Sequence, residues 1–254
     1  MKITAKLLAM AIALSGVTAA MADDDDENLK LAIHEVKVKM GHGMAFSDGM
    51  KAYSACLAEG DYDGSYSVWA ALDGDRSRFY IVSPFNMWAE YDEEDDVSDD
   101  CWAKDEIRNG VFDHMAKWKT QYVERMNDWS GDNEGAKVVR LHNFRVDEGS
   151  DFRKVVGEIT GILKDAKHEH MGTWYDVLGN GYWDADYFVV DHYDNFAAMD
   201  EDRKGVNDVL TEALGEENTS RIWDAFGDAL EDENGYWTTM LVRRGGMGYS
   251  PEDD

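Results

Sequence analysis

Apolar and polar positions alternate along this chain with two periods, one typical of strands and one typical of helices. In the first half they predict a strand, a helix and a two-stranded hairpin, at residues 31–40, 46–60 and 65–72 with 79–83. Apolar residues then recur every three or four positions across residues 111–129, which predicts a second helix. The acidic stretch before that helix, residues 87–101, has no clear period and is interpreted as an insertion.

The same order of elements returns in the second half. Its strand, helix and hairpin are predicted at residues 137–146, 151–166 and 172–178 with 187–193, and two helical stretches and a final strand follow at 196–214, 219–230 and 236–243. Similar residues recur at a constant offset of 108 positions, so that Tyr80, Ile81, Val82, Phe85 and Trp88 correspond to Phe188, Val189, Val190, Tyr193 and Phe196. We interpret this offset as an internal duplication.

This order predicts an α+β fold made of two tandem ferredoxin-like units, each β-α-β-β-α with a closing strand that is clear only in the second unit. The units are placed at residues 31–130 and 136–244, and residues 245–254 are interpreted as a polar tail. Only one strand-like run, residues 137–146, lies where the first unit should end. Either the first closing strand is lost, or this run serves both halves.

The repeated order resembles the dimeric α/β-barrel superfamily, in which two ferredoxin-like units pack sheet against sheet. Antibiotic-biosynthesis-monooxygenase-like and NIPSNAP-like proteins belong to that superfamily. The resemblance covers about residues 31–244 and rests on element order, without a diagnostic motif. It implies a pseudo-dimeric barrel within one chain, a monomer with internal pseudo-two-fold symmetry, and either an oxidative enzyme or a small-molecule binder. A fold alone does not decide between these functions.

The first 30 residues carry features of export. Lys2 and Lys6 precede a short apolar run, and the pattern Ala20-Met21-Ala22 fits a signal-peptide cleavage site, so residues 1–22 are predicted to be a signal peptide. A membrane anchor is the alternative, but the run is shorter than the roughly 20 residues that span a bilayer. We expect residues 23–30 to form a disordered acidic leader, and the protein to be periplasmic or secreted.

The chain is strongly acidic, with 53 Asp and Glu residues against 25 Lys and Arg and a net charge of -28. Such a surface repels nucleic-acid phosphates and anionic membranes, so neither is expected as a partner. Adaptation to a saline habitat and loose cation binding both remain as explanations of the charge.

Two cysteines, Cys56 and Cys101, lie in a chain that is predicted to be exported. An oxidising compartment favours one disulfide between them, and two separate thiols are the alternative. A CxxC pair is absent from the sequence, so no redox or zinc motif is predicted.

Polar and aromatic residues within the predicted strands are the candidates for a ligand pocket. Each of them alone is more often a hydrogen-bonded structural group. Together, His, Arg, Asp and Trp could orient an aromatic or quinone-like ligand and move a proton, and we hypothesise a shared cavity. The candidates are His34, Trp69, Arg140, His142, Trp174, Asp176, Asp191 and His192.

The leading interpretation is an exported acidic protein that binds a small apolar or aromatic molecule within a barrel. One alternative is a cofactor-free monooxygenase-like enzyme, in which Trp174 and a nearby His or Arg hold a phenolic substrate. Another is a structural or interaction protein with a filled core. Whether the protein is an enzyme stays open, since the sequence contains no GxSxG, HExxH or phosphate-loop motif.

No metal and no cofactor are predicted. His168 and His170 lie two positions apart at a predicted helix end, a spacing that turns their side chains apart. A haem would need His142 or His192 as its ligand, and the chain has no CxxCH motif.

Overall fold

A computed structural model describes residues 29–93, 95–131, 135–179 and 184–251. The predicted signal peptide and most of the acidic leader lie outside these residues, and Lys30 already belongs to the first strand. The first half contains β1 (Lys30–Val38), α1 (Gly43–Glu59), β2 (Ser67–Ala71), β3 (Arg78–Phe85), α2 (Asp96–Ala103), α3 (Asp105–Phe112) and β4 (Met115–Arg125). The second half contains β5 (Val138–Phe144), α4 (Gly149–Asp165), β6 (Thr173–Gly179), β7 (Tyr187–Tyr193), α5 (Val206–Leu214), α6 (Glu216–Asp228) and β8 (Tyr236–Arg243).

The eight strands form one closed barrel in the order β1-β3-β2-β8-β5-β7-β6-β4. Every neighbouring pair is antiparallel. Each half supplies four adjacent strands, and the halves join where β2 meets β8 and where β4 meets β6. The predicted α+β fold, with two ferredoxin-like units packed as a pseudo-dimeric barrel, is therefore confirmed.

The predicted helix over residues 111–129 is wrong. The helix α3 ends at Phe112, and β4 occupies the next stretch, where it pairs with β1 from Lys30↔Glu124 to Val38↔Met115. The helical elements of this half lie earlier, in α2 and α3, within and just after the stretch interpreted as an insertion. Local periodicity could not show this, because the partner strand lies about 85 residues away in sequence.

The strand β4 is also the closing strand of the first unit, which the sequence pattern did not reveal. Since β4 closes the first unit and β8 closes the second, both units have the full order β-α-β-β-α-β with a divided second helix. The first closing strand is neither lost nor shared, so both alternatives considered for it are wrong. Each closing strand also joins the two halves, β4 through β6 and β8 through β2.

Among the residues that the structure describes, buried apolar side chains form three clusters: one between the barrel and the helices of the first half, one between the barrel and the helices of the second half, and one inside the barrel. The first outer cluster includes Val36, Phe46, Met50, Leu57, Val68 and Val111. The second includes Phe144, Phe152, Val156, Trp174, Val209 and Leu210. The inner cluster includes Ile33, Val123, Val139, Phe188, Val190 and Leu241. Strand alternation separates them, since successive side chains point to opposite faces.

Cys56 and Cys101 form the predicted disulfide, with Cα atoms 5.9 Å apart. Both sulfurs are buried, and the bond fastens α2 to α1 in the first half. In the chain-entropy model, a disulfide that joins cysteines 45 residues apart increases the free energy of unfolding by about 3 to 4 kcal/mol.

The C-terminal segment differs from the polar tail that was expected. Met247 and Tyr249 are buried in the first outer cluster. The backbones of Tyr66 and Tyr249 exchange two hydrogen bonds of 2.9 Å, and the Tyr249 hydroxyl donates to the Tyr62 carbonyl at 2.7 Å. The end of the second half therefore packs into the core of the first. Across the described residues, no helix is both long and apolar enough to cross a bilayer.

Candidate functional site

The barrel encloses a cavity of about 520 Å³. Its walls are the inward-facing residues of the strands, as alternate positions on β1 illustrate: Leu31, Ile33 and Glu35 line it, while Val36 faces the helices. An interior filled by side chains would leave no such volume. The cavity therefore argues against the alternative of a filled core.

Most of the cavity wall is apolar or aromatic. Five aromatic side chains on five different strands contribute large flat surfaces: Trp69, Tyr80, Tyr175, Phe188 and Trp237. Such walls favour flat, poorly hydrated ligands. The apolar and aromatic lining comprises Leu31, Ile33, Trp69, Tyr80, Val82, Ala136, Val139, Leu141, Tyr175, Ala185, Phe188, Val190, Trp237 and Leu241.

Four of the five charged side chains in the wall form two opposite pairs, and the fifth, Arg243, is exposed to solvent. Arg78 lies 3.3 Å from Glu35, and Lys119 forms an ion pair with Asp184. Glu35 and Lys119 face each other in register across β1 and β4, so the two pairs are neighbours. Opposite charges this close attract each other strongly in a partly dehydrated place. They also provide donors and acceptors for the polar end of a ligand.

His192 is a titratable group that the second half of the chain contributes to the wall. Its Nε2 lies 3.1 Å from Thr173 Oγ1 on the adjacent strand. Burial lowers the pKa of His192, and the nearby Asp191 raises it less than burial lowers it. The imidazole is therefore mostly uncharged near neutral pH. Burial also raises the pKa of Tyr80 and of Tyr175, so both phenols keep their protons.

Arg125 is a partly buried charge next to His192 that the sequence patterns did not single out. It is opposite Tyr175 in the pairing of β4 with β6, and its positive charge acts on both Tyr175 and His192. One of its terminal nitrogens donates to the Gly131 carbonyl at 3.1 Å, while its Nε is buried without a hydrogen-bond partner. This charge further disfavours protonation of His192.

Of the eight predicted pocket residues, the structure places Trp69 and His192 in the wall of the barrel cavity. Trp69 donates from Nε1 to Ser67 Oγ at 2.9 Å, which fixes its ring. The residues that were missed, such as Tyr80 and Trp237, share the face of these two. Strand parity was the available signal, because residues two apart on one strand share a face.

Three predicted residues lie on the outer side of the sheet in separate places. His34 accepts or donates a hydrogen bond of 2.8 Å with Thr120 and packs on Trp118. Trp174 is buried in the second outer cluster, stacked on Phe144 with ring centroids 5.5 Å apart. Asp176 accepts a hydrogen bond of 2.7 Å from Arg153 of α4.

Arg140, His142 and Asp191 are brought together, but on the outer face of β5 and β7. His142 Nε2 lies 3.0 Å from Asp191 Oδ2, and Arg140 is opposite Asp191 in register. The structure therefore does not unite the eight residues in one cavity. Asp191 and His192 are consecutive on one strand, so they must face opposite sides of the wall.

Among the described residues, no group of three His, Cys, Asp or Glu side chains is arranged to hold a metal ion. The rings of His168 and His170 lie 6.0 Å apart at 89° to each other.

Comparison with known proteins shows similarity at the level of fold. No protein-family model matches the sequence, and no curated protein matches it. A "putative monooxygenase" from Lactobacillus acidophilus NCFM superposes with a TM-score of 0.50 at 11% identity, over 89% of this chain and 97% of that one. A chlorite dismutase variant from Candidatus Nitrospira defluvii, in complex with cyanide, superposes with a TM-score of 0.50 at 6% identity, over 87% of this chain and 93% of that one. Identities this low establish a shared fold alone.

Proposed function

We propose that this protein binds a small, mostly apolar aromatic molecule inside its barrel. The observation that carries the proposal is the cavity of about 520 Å³, whose wall is built mainly from apolar and aromatic side chains. Its size lies within the range of roughly 300 to 1,000 Å³ that is usual for small-molecule sites. Burying the flat surface of such a ligand against these walls supplies the affinity.

The polar groups of the wall restrict the chemistry of the ligand. The charges of Glu35, Arg78, Lys119 and Asp184 already balance each other in two ion pairs. Arg243, the remaining charge of the wall, is exposed to solvent, so a ligand with a full net charge held among the two pairs would have to break one of them, which is costly in a partly buried place. We therefore expect an uncharged ligand with one or two hydroxyl or carbonyl groups, as in a phenol or a quinone.

A cavity-filling variant tests this proposal. Leu141→Trp places a larger side chain in the cavity wall, whereas Leu178→Trp makes the same change at a position that is 40% exposed. Titration with a fluorescent naphthalene dye and with naphthoquinone should show saturable binding to the wild type. Leu141→Trp should weaken it at least about tenfold, or 1.4 kcal/mol, and Leu178→Trp should not. Equal affinities in all three folded proteins would refute the proposal.

A second function, cofactor-free oxidation of a phenol in the same cavity, is favoured by the uncharged imidazole of His192. A neutral imidazole in the wall could accept the phenolic proton as oxygen reacts with the ring. Oxygen uptake with hydroquinones should then exceed the uncatalysed rate and should fall in His192→Gln. The matched variant His34→Gln, on the outer face, should keep the rate. Binding of the aromatic ligand without oxygen uptake would support the first function and contradict the second.

We also infer that the protein is exported. The inference is supported by the two lysines, the short apolar run and the Ala20-Met21-Ala22 pattern of the first 22 residues. The intact mass of the protein isolated from its own cells should correspond to a chain that begins at Asp23. A mass that includes residues 1–22 would contradict this inference.

A further inference from the structure

Three side chains form a hydrogen-bonded series on the outer face of β5, β7 and β8, away from the barrel cavity. The Tyr236 hydroxyl lies 2.7 Å from His142 Nδ1, and His142 Nε2 lies 3.0 Å from Asp191 Oδ2. The rings of Tyr236 and His142 are stacked, and Tyr236 is 51% exposed. The phenol oxygen is therefore oriented by its neighbours and reachable from solvent.

The chemistry of the three groups assigns the direction of both hydrogen bonds. An ionised carboxylate only accepts, so the arrangement that suits Asp191 has His142 Nε2–H donating to it. With the imidazole in that uncharged tautomer, Nδ1 has a lone pair that accepts the hydrogen of the Tyr236 hydroxyl. A hydroxyl, a base within hydrogen-bond reach and a carboxylate that orients the base form the arrangement that activates a nucleophile.

The first half of the chain provides an internal comparison. At the 108-residue offset, His34 corresponds to His142, Ser83 to Asp191 and Ala32 to Arg140. Trp118 takes the place of Tyr236, because each lies two residues before the threonine that pairs with the histidine. A histidine therefore occupies this strand position in both halves. The carboxylate, the phenol and the arginine accompany it in the second half and not in the first.

We propose that Tyr236 is a nucleophile toward small carboxylic esters, with His142 as its general base and Asp191 as the positioning residue. Tyr236 Oη forms a bond to the ester carbonyl carbon while its proton passes to His142 Nδ1. The bond from that carbon to the alcohol oxygen then breaks, and the departing oxygen takes the proton from Nδ1. The products are acyl-Tyr236 and the free alcohol. Water, activated by His142, then releases the carboxylic acid and restores the phenol.

The charges around the phenol are consistent with this role. Burial and the charge of Asp191 raise the pKa of Tyr236, and Arg140 opposes them, so the phenol keeps its proton at rest. The proton leaves only as the new bond forms, when the imidazole is there to accept it. The positive charge of Arg140 also favours the negative charge that develops on the ester oxygen.

Acetylation by p-nitrophenyl acetate tests the proposal on the intact protein. Peptide mass spectrometry after short exposure should show Tyr236 acetylated at least tenfold faster than Tyr91, which is equally exposed at 53% but packs on aromatic rings. Release of p-nitrophenol should show a burst of one equivalent, which Tyr236→Phe abolishes.

Variants of His142 and Asp191 test whether these residues act in the reaction of Tyr236 or only in packing. His142→Gln should slow acetylation of Tyr236 to the rate of Tyr91, Asp191→Asn should slow it partly, and Asp191→Glu should restore much of it. His34→Gln, the matched change in the first half, should have no effect. Circular dichroism establishes that each variant is folded. The proposal fails if Tyr236 reacts no faster than Tyr91, or if folded His142→Gln keeps the wild-type rate. Ligand binding in the barrel cavity is a separate measurement that neither result changes.

Discussion

At the scale of single residues, the face of the strand on which a side chain lies decides the chemistry open to it. Asp191 and His192 are adjacent in sequence, yet one is hydrogen-bonded on the outer face and the other lines the cavity. His192 is partly dehydrated there, which lowers its pKa.

The lowered pKa of His192 predicts a pH dependence of stability. Because the unfolded chain binds this proton more tightly than the folded one, the free energy of unfolding falls as the pH drops below about 6.5, the ordinary histidine value. Above roughly pH 7.5 the group is uncharged in both states and contributes nothing. His192→Gln should therefore lose less stability than the wild type between about pH 7.5 and 5.5, by at most about 1.4 kcal/mol per pH unit. Urea unfolding at both pH values measures this, and parallel losses in the two proteins would contradict it.

At the scale of elements, two helices of the first half approach each other more closely than side chains usually permit. Gly49 of α1 faces Gly110 of α3, and a Cβ atom at position 49 would lie 2.3 Å from the Gly110 carbonyl oxygen. Glycine is required there because two backbones touch. Together with the disulfide to α2, this contact holds the divided helical layer against the sheet.

Substituting this glycine should be destabilising. Gly49→Ala forces α1 and α3 apart and should reduce the free energy of unfolding by about 2 to 3 kcal/mol, the upper range for overpacking. Gly161→Ala, in the exposed middle of α4 with no atom within 4 Å of the new Cβ, is the matched control. It should stabilise the protein by about 0.5 to 1 kcal/mol through helix propensity. Chemical denaturation of both variants measures these changes in the free energy of unfolding. Similar changes in the two variants would show that the contact between α1 and α3 does not require glycine at position 49.

At the scale of the whole molecule, one closed barrel is built by a chain with a net charge of -28. The ion pairs of the described residues neutralise part of this charge, and the excess of carboxylates repels itself across the surface. Closure of the barrel brings all eight strands and their charges into one compact body. Folding therefore concentrates like charges that the unfolded chain keeps farther apart.

Salt should consequently stabilise the folded protein. Raising NaCl from about 0.1 to 1 M shortens the screening length from about 10 to 3 Å, which weakens the repulsion more in the compact state. The urea midpoint should increase with NaCl at neutral pH. Near pH 4, where many carboxylates are protonated, the increase should shrink. A midpoint that is constant or falls with salt at neutral pH would contradict a net repulsive surface.

The sequence by itself determined the strand and helix that begin each half, both hairpins and the element order of the second half. These follow from local spacing, since one face of each element must be buried and its apolar residues recur with the period of that element. It also indicated Trp69 and His192 as pocket residues. It misjudged β4, whose apolar residues Trp118 and Tyr122 lie four positions apart, a spacing that fits a helix as well as a strand.

Only the tertiary structure decided which face of each strand looks into the barrel. That choice depends on how β2 meets β8 and β4 meets β6, which are pairings between residues far apart in sequence. Alternation shows that Arg140 and His142 share a face, and closure of the barrel turns that face outward. A cavity on one side of the wall and a Tyr236–His142–Asp191 series on the other are therefore consequences of long-range pairing, because local patterns are the same for either orientation.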